Sequence, residues 1–177
     1  MSVFSGKPAR AAYALLFCVS AALGGAPAGA AMIETPETAV VATDAPDLVK
    51  GMDAWEARDW EGVVLYMGKV VAADPGQDMV WTRLGYAWRR LGDYDKSLAA
   101  YDSALKLNPS NRGALEYLGE AYLQMGKIDE ARKVASRLMS ECIKASPTAA
   151  KGKFPEGCEE MALLKRNFEA LGLKFDS

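Results

Sequence analysis

The stretch WTRLGYAWRRLGDYDKSLAAYDSALKLNP, residues 81–109, decides the fold. Its opening, WTRLGYAW, recurs as LEYLGEAY at residues 115–122, and Gly92 and Gly126 keep the same offset of 34 residues. Self-similarity at a fixed period of this length is typical of helix-turn-helix units that stack along one axis. The sequence therefore predicts an all-α repeat protein.

A fainter copy of the same pattern lies upstream. Three of its residues stand 34 positions before their counterparts in the middle copy: Gly51, Trp60 and Pro75. In the middle copy, the segment 92–95 predicts a turn. Asn108-Pro109 predicts the end of the second helix, because proline has no N–H and restricts the residue before it. The turn signals therefore agree with the period.

These residues resemble the tetratricopeptide repeat family. The middle copy follows the pattern of that family at ten positions: Trp81, Leu84, Gly85, Trp88, Gly92, Tyr94, Ser97, Tyr101, Ala104 and Pro109. The resemblance implies a short α-solenoid of about three repeats, at 45–77, 78–111 and 112–143. Small residues such as Gly85 and Ala104 are then expected where paired helices approach closely.

Both end copies depart from the pattern. The third has Leu138 in place of Ala104 and Ile143 in place of Pro109, so we expect its second helix to run on to Lys144. The first has Asp47 where the family prefers a large apolar residue. Terminal repeats have one face on solvent, so such departures fit capping units as well as they fit decay.

Two segments without a sustained period flank the repeats, at 31–44 and 144–157, and we read them as a flexible leader and a loop. After the loop, apolar residues recur at steps of three and four: Met161, Leu164, Phe168 and Leu171. This spacing predicts an amphipathic helix over 158–173. We expect the helix to cover the open end of the third repeat.

The N-terminus has the order of a secretory signal. Lys7 and Arg10 precede an apolar run over 11–25, which leads to the small residues at 28–30. We therefore expect residues 1–30 to be removed on export, to the periplasm if the source is a Gram-negative bacterium. The alternative is a retained membrane anchor, but glycines and a proline break the run short of the ~20 residues that span a bilayer.

Once the signal is removed, two cysteines remain, Cys142 and Cys158. An even pair in an exported chain predicts one intramolecular disulfide. The alternative, a redox-active pair, is disfavoured because the two lack the Cys-x-x-Cys spacing. A zinc site would need further ligands, and the chain has no histidine. We expect no metal and no cofactor.

Composition narrows the classes of function. The 177 residues suggest one domain, and Lys and Arg number 21 against 23 Asp and Glu, with no basic run that could follow a phosphate backbone. Nucleic acid is therefore not an expected partner. Without histidine the chain lacks the side chain that titrates near neutrality without perturbation, and no motif pairs an acid with a base across a pocket. We therefore do not expect the protein to be an enzyme.

The family resemblance places ligand contacts on the first helix of each repeat, which lines a concave groove. Carried over to this sequence, the candidate residues are Met52, Trp55, Met79, Thr82, Tyr86, Arg89, Arg90, Glu116, Glu120 and Leu123. A solvated helix face is the alternative for Arg89 and Arg90, and the core is the alternative for Trp55.

The sequence thus predicts a non-catalytic adaptor, a monomer that binds a protein or peptide segment in the cell envelope. The alternative is a structural subunit that is permanently buried in a larger envelope complex. The two differ in the purified protein: an adaptor is stable alone, whereas a permanent subunit associates through apolar patches. Membrane contact is expected only if residues 1–30 are retained.

Overall fold

The computed structural model describes residues 46–146 and 158–175. The predicted signal (1–30), the leader (31–44) and most of the loop (147–157) lie outside these residues. The described part forms seven helices: α1 (Pro46–Ala57), α2 (Trp60–Ala73), α3 (Asp78–Arg90), α4 (Tyr94–Leu107), α5 (Arg112–Gln124), α6 (Ile128–Ala145) and α7 (Glu159–Ala170). The prediction of an all-α solenoid is confirmed. None of these seven helices is long and apolar enough to cross a membrane.

The helices pair as the repeats predict. Helices α1 and α2, α3 and α4, and α5 and α6 form three successive hairpins, each packed on the next, and α7 packs mainly on α5 and also on α6. One buried cluster joins the first hairpin to α3, and a second joins α4, α5, α6 and α7. Trp81 contacts both clusters and so links the two parts of the core.

Local signals fix where the helices start. Side-chain oxygens of Asp59, Asp93 and Asn111 accept hydrogen bonds from backbone N–H groups three residues on, at the starts of α2, α4 and α5. These caps satisfy donors that the first helical turn leaves free. The turn after α3 and the turn after α5 contain glycines in the left-handed region, Gly92 at φ +83° and Gly126 at φ +71°.

The first repeat has Arg58 at the matching position, and Arg58 also adopts a positive φ, of 58°. The left-handed region crowds Cβ against the backbone and costs a non-glycine residue roughly 1–2 kcal/mol. Arg58→Gly should therefore stabilise the protein by about 0.5–1 kcal/mol after the greater freedom of glycine in the unfolded chain is counted. Chemical denaturation measures the gain. Arg58→Ala keeps the Cβ and should show none, so equal stability of the two variants would contradict this explanation.

In the first helix of a repeat, a glycine leaves space for a side chain from another helix, and this packing explains why α7 follows the third repeat. A Cβ on Gly85 would lie 2.6 Å from Cε1 of Tyr101, so the tyrosine ring fills the space that the glycine leaves. In the third repeat, Ala135 stands at the position of Tyr101. The side chain of Leu164, from α7, packs on Gly119 there instead. Helix α7 thus fills the slot that the small side chain leaves open.

Helices α6 and α7 differ slightly from their predicted bounds. Helix α6 continues to Ala145, one residue beyond the predicted end, because no proline stops it at Ile143. Helix α7 starts at Glu159 and ends at Ala170, inside the predicted range of 158–173. The chain turns at Gly172, with φ +69°, and Phe175 packs edge-on against Phe168, with ring centroids 5.2 Å apart.

Candidate protein-binding groove

The first helices of the three repeats bring a row of aromatic rings together. The Tyr86 ring on α3 lies 4.9 Å from the Trp55 ring on α1 and 4.8 Å from the Tyr117 ring on α5, measured between centroids. Trp60 joins the row, 5.3 Å from Tyr86. All four side chains are half-buried. Trp55 and Trp60 also pack against the buried cluster of the first hairpin, and all four rings keep part of their rigid apolar surface exposed.

Arginines lie over this row. The Arg83 guanidinium is 5.8 Å from the centroid of Trp55, and that of Arg90 is 5.1 Å from the centroid of Trp60. Arg90 also donates a hydrogen bond to the hydroxyl of Tyr86, at 3.2 Å. Such stacking is favourable and keeps the cations beside apolar surface. No carboxylate pairs with Arg83 in the described ranges, 46–146 and 158–175, so its charge is available.

Arg89 has a different role from the one predicted. Its side chain is 4% exposed, and its Nη2 donates to Oε2 of Glu120 at 2.6 Å. The guanidinium also lies 4.8 Å from the Tyr86 ring centroid. Since the arginine is buried and already paired, it is not presented to a partner, and it is not a solvated face either. The structure corrects the prediction: the pair holds α3 against α5.

Thr82 is also buried, at 3% exposure, and its hydroxyl is paired within the protein. Its hydroxyl donates to the backbone oxygen of Asp78 at 2.8 Å and accepts from Nδ2 of Asn111 at 3.0 Å. Asn111 also donates to the Asp78 carboxylate at 2.8 Å, while its own oxygen caps α5. Thr82 therefore fastens the loop before α5 to α3. Thr82 also lines the cleft described below, so its predicted ligand contact stays a prediction beside this supporting role.

Glu116 and Leu123 are also buried. Both were predicted to line the groove, but they are 4% and 6% exposed. Burial, with the carboxylates of Glu120 and Glu160 nearby, raises the pKa of Glu116 to about 8, although Arg89 and Arg166 oppose the shift. Burial disfavours the charged form of a carboxyl group. Glu116 is therefore predominantly protonated at neutral pH in the folded protein.

This raised pKa makes stability depend on pH. Between about pH 4.5 and 8 the folded state holds a proton on Glu116 that the unfolded state releases, so stability should fall as pH rises through this window. Glu116→Gln cannot ionise and should flatten the slope, with a gain of about 1–3 kcal/mol at the alkaline end. Denaturation across this pH range measures the slope. Glu159→Gln, at an exposed position, is the control, and a slope in Glu116→Gln as steep as that of the control would refute the assignment.

A cleft of about 470 Å³ opens beside the N-terminal halves of α3 and α5 and the C-terminal end of α1. Met79, 52% exposed, stands at its edge. The lining residues come from α1, α3, the loop before α5, α5 and the start of α7: Trp55, Met79, Thr82, Arg83, Asn108, Asn111, Arg112, Gly113, Tyr117 and Glu160. The cleft thus combines apolar surface from aromatic and methionine side chains with two guanidinium groups.

The remaining predicted residues divide by exposure. Met52, Trp55, Tyr86 and Glu120 are half-buried, whereas Met79 and Arg90 are exposed. Seven lining residues were not among the predicted contacts: Arg83, Asn108, Asn111, Arg112, Gly113, Tyr117 and Glu160. Arg83 and Tyr117 share one register position, each directly after a predicted contact, and this spacing could have identified them. No sequence signal places Glu160 in the cleft, because an intervening loop sets where α7 packs.

Cys142 and Cys158 meet at the end of the solenoid. Their Cα atoms are 5.8 Å apart, within the usual range for a disulfide, and the structure joins the two sulfurs. Both residues are buried. The link connects the last turn of α6 to the residue that precedes α7, so it fixes the start of the helix that contributes Glu160. Within the described residues there is no cluster of metal-ligating side chains.

Comparison with known families agrees with this architecture. The family model described as tetratricopeptide repeat matches residues 48–110 and again 82–150, which together cover more than half of the chain. The chain therefore belongs to the tetratricopeptide repeat family. No curated protein sequence matches it.

Solved structures share the fold. The complex of the TPR2B domain of yeast Sti1 with pHsp70 superposes with a TM-score of 0.61 at 12% identity, over 71% of this chain and 95% of that one. The first TPR of Spaghetti (RPAP3), bound to the HSP90 peptide SRMEEVD, has a TM-score of 0.54 at 22% identity, over 71% and 93%. MamA (MSR-1 C2) reaches 0.54 at 27% identity, over 58% of this chain and 62% of that one. The likeness to the first two shows the fold alone.

Proposed function

We propose that this protein is a non-catalytic adaptor that binds a segment of a partner protein in the cleft between α1, α3 and α5. The observation that carries the proposal is the half-buried aromatic row beside a guanidinium, on Arg83, that no carboxylate pairs with in the described part of the chain. Aromatic side chains and arginine are the types most enriched where truncation weakens a protein interface.

The chemistry of the cleft defines the partner. Trp55, Tyr117 and the exposed Met79 offer an apolar contact, so the segment should carry an apolar anchor. Arg83 favours an acidic group beside that anchor, because a guanidinium binds a carboxylate through strong charge-assisted hydrogen bonds. Among proteins of the same fold, Spaghetti binds the HSP90 peptide SRMEEVD and the Sti1 domain forms a complex with pHsp70, which supports a segment of a partner protein as the class of ligand.

We further propose that the protein works outside the cytoplasm, in the periplasm if the source is Gram-negative. The support is the basic and apolar pattern of residues 1–30, together with the paired cysteines, since disulfides persist in oxidising compartments. Intact-mass measurement of the exported protein should show loss of residues 1–30, and thiol titration should find Cys142 and Cys158 bonded. Retention of the N-terminal residues, or free thiols, would contradict this location.

The alternative, a subunit permanently buried in a larger complex, requires a broad apolar surface. The exposed large apolar side chains of the described residues are instead spread over six helices and the residues that follow α3 and α7: Val49, Leu65, Met79, Leu91, Leu107, Ile143, Leu163 and Leu171. This distribution favours the adaptor, and we propose that it is a monomer. Sedimentation of the purified protein without a partner should give the monomer mass.

Photo-cross-linking in cells that export the protein tests the binding surface. A benzophenone side chain at Met79 should capture the partner, because Met79 stands at the edge of the cleft. The matched control is Leu65 on α2, which does not line the cleft and is 53% exposed against 52% for Met79. A band that forms equally from both positions, or from Leu65 alone, would reject the cleft as the binding site.

A further inference from the structure

Helix α7 continues the lining of the groove beyond the three repeats. A partly buried polar row runs from Arg89 on α3 to Glu120 on α5, at 2.6 Å, and then to Asn167 on α7, whose Nδ2 donates to Oε1 of Glu120 at 2.5 Å. Each successive first helix contributes one member of this row. Helix α7 therefore occupies the place of the first helix of a fourth repeat.

Helix α7 is also firmly held there. Met161, Leu164 and Phe168 are fully buried along one of its faces, and the Cys142–Cys158 link fixes its start. Burying three such side chains contributes on the order of 5 kcal/mol or more, an upper estimate because unfolded chains bury part of this surface. Residues near the start of α7 are therefore a permanent part of the cleft wall.

Glu160 is the residue through which α7 enters the cleft. Its Oε1 lies 3.6 Å from Nε of Arg112, and both residues line the cleft together with Arg83. In the described ranges, no other carboxylate pairs with Arg112. Of the two guanidinium groups in the cleft, that of Arg112 is therefore partly neutralised by Glu160, whereas no carboxylate of the described residues pairs with that of Arg83.

The Arg112–Glu160 pair is loose enough to matter for binding. It consists of one contact longer than a hydrogen bond, and the side chains are 33% and 25% exposed. Ion pairs of this kind contribute little to stability. A carboxylate of a bound segment would nevertheless have to compete with Glu160 for Arg112 and would be repelled by its charge.

From this geometry we propose that Glu160 determines specificity, by restricting the cleft to segments with one acidic group, which Arg83 binds. Loss of the Glu160 charge would release Arg112 and let the cleft accept a second acidic group. The proposal rests on the proposed function, since it assigns the chemistry of the same binding site.

Selection from a display library of random dodecapeptides tests the proposal with matched variants. Glu160→Gln and Glu159→Gln remove the same charge from neighbouring positions of one helix, but Glu159 is exposed and does not line the cleft. The parent and Glu159→Gln should select peptides with an apolar residue and one acidic residue. Glu160→Gln should select a second acidic residue and bind such a peptide roughly fivefold more tightly than the parent does.

The possible outcomes distinguish failure of the role proposed for Glu160 from failure of the proposed function. In one outcome, Arg83→Glu no longer binds the peptides that the parent selects, but Glu160→Gln and Glu159→Gln select peptides with the same number of acidic residues. That outcome overturns only the role of Glu160. If the peptides selected by the parent bind Arg83→Glu undiminished, the cleft is not the binding site and both proposals fail. Melting curves of the variants establish that each one is folded.

Discussion

Gly85→Ala should destabilise the protein by about 1–3 kcal/mol, and Gly85→Leu by more, because both overpack the space that the Tyr101 ring fills. The new Cβ would lie 2.6 Å from Cε1 and 2.7 Å from Cδ1 of that ring, closer than carbon atoms approach without a shift. Tyr101 is fully buried, so the ring cannot move towards solvent. Chemical denaturation measures the loss.

Gly68→Ala is the matched control for this prediction. Gly68 also lies within a helix, α2, but a Cβ there meets nothing within 4 Å. Alanine favours helix over glycine, so Gly68→Ala should be stabilising by about 0.5–1 kcal/mol. The two identical substitutions are thus expected to have opposite signs. A stability change of the same sign and size at both sites would show that the repeat packing is wrongly assigned.

The second helix of the middle repeat is also closely packed on one face. Ala104 is fully buried, whereas the Lys106 side chain is 73% exposed. Ala104→Phe should therefore disrupt folding, and Lys106→Glu should change stability only slightly.

Arg89→Ala should cost about 3–5 kcal/mol, the second large effect, because it leaves the Glu120 carboxylate without its cationic partner in a mostly buried site. The side chains of Arg89 and Glu120 are only 4% and 17% exposed. The loss should appear as a lower denaturation midpoint of the free protein, with no partner present.

Two further variants separate charge from size. Arg90→Ala removes an exposed arginine of the same helix and should cost less than about 1 kcal/mol. Arg89→Met combined with Glu120→Leu removes both charges together and should recover part of the loss, because buried ion pairs can be replaced by apolar groups of similar size. If Arg89→Ala were as stable as Arg90→Ala, the buried pair would have no structural role.

The repeat architecture could be predicted because its determinants are local and periodic. Gly85, Gly92 and Pro109 define a close approach, a turn and a helix end within one unit, and the 34-residue offset carries them to the neighbouring units. Even the first helix of the weak first repeat forms, although Asp47 departs from the family pattern, since tertiary packing outweighs one unfavourable residue.

The binding site was only partly predictable because register does not determine what a neighbouring helix covers. The positions of Arg89 and Glu116 on the lining helices follow from the repeat, but their burial depends on contacts with α5 and α7 that lie far away in sequence. Ala135 was the available signal that the third repeat needs a side chain from elsewhere. No signal in the sequence between α6 and α7 indicates that Leu164 provides this side chain.

The proposed function requires that the cleft holds a segment of the partner beside Arg83. The most direct measurement is the affinity of the partner captured at Met79 for Arg83→Glu, compared with Lys106→Glu on α4, which makes the same change of charge away from the cleft. We expect Arg83→Glu to weaken binding by roughly tenfold or more with an unchanged melting temperature, and Lys106→Glu to bind like the parent. Parental affinity in Arg83→Glu would contradict the account.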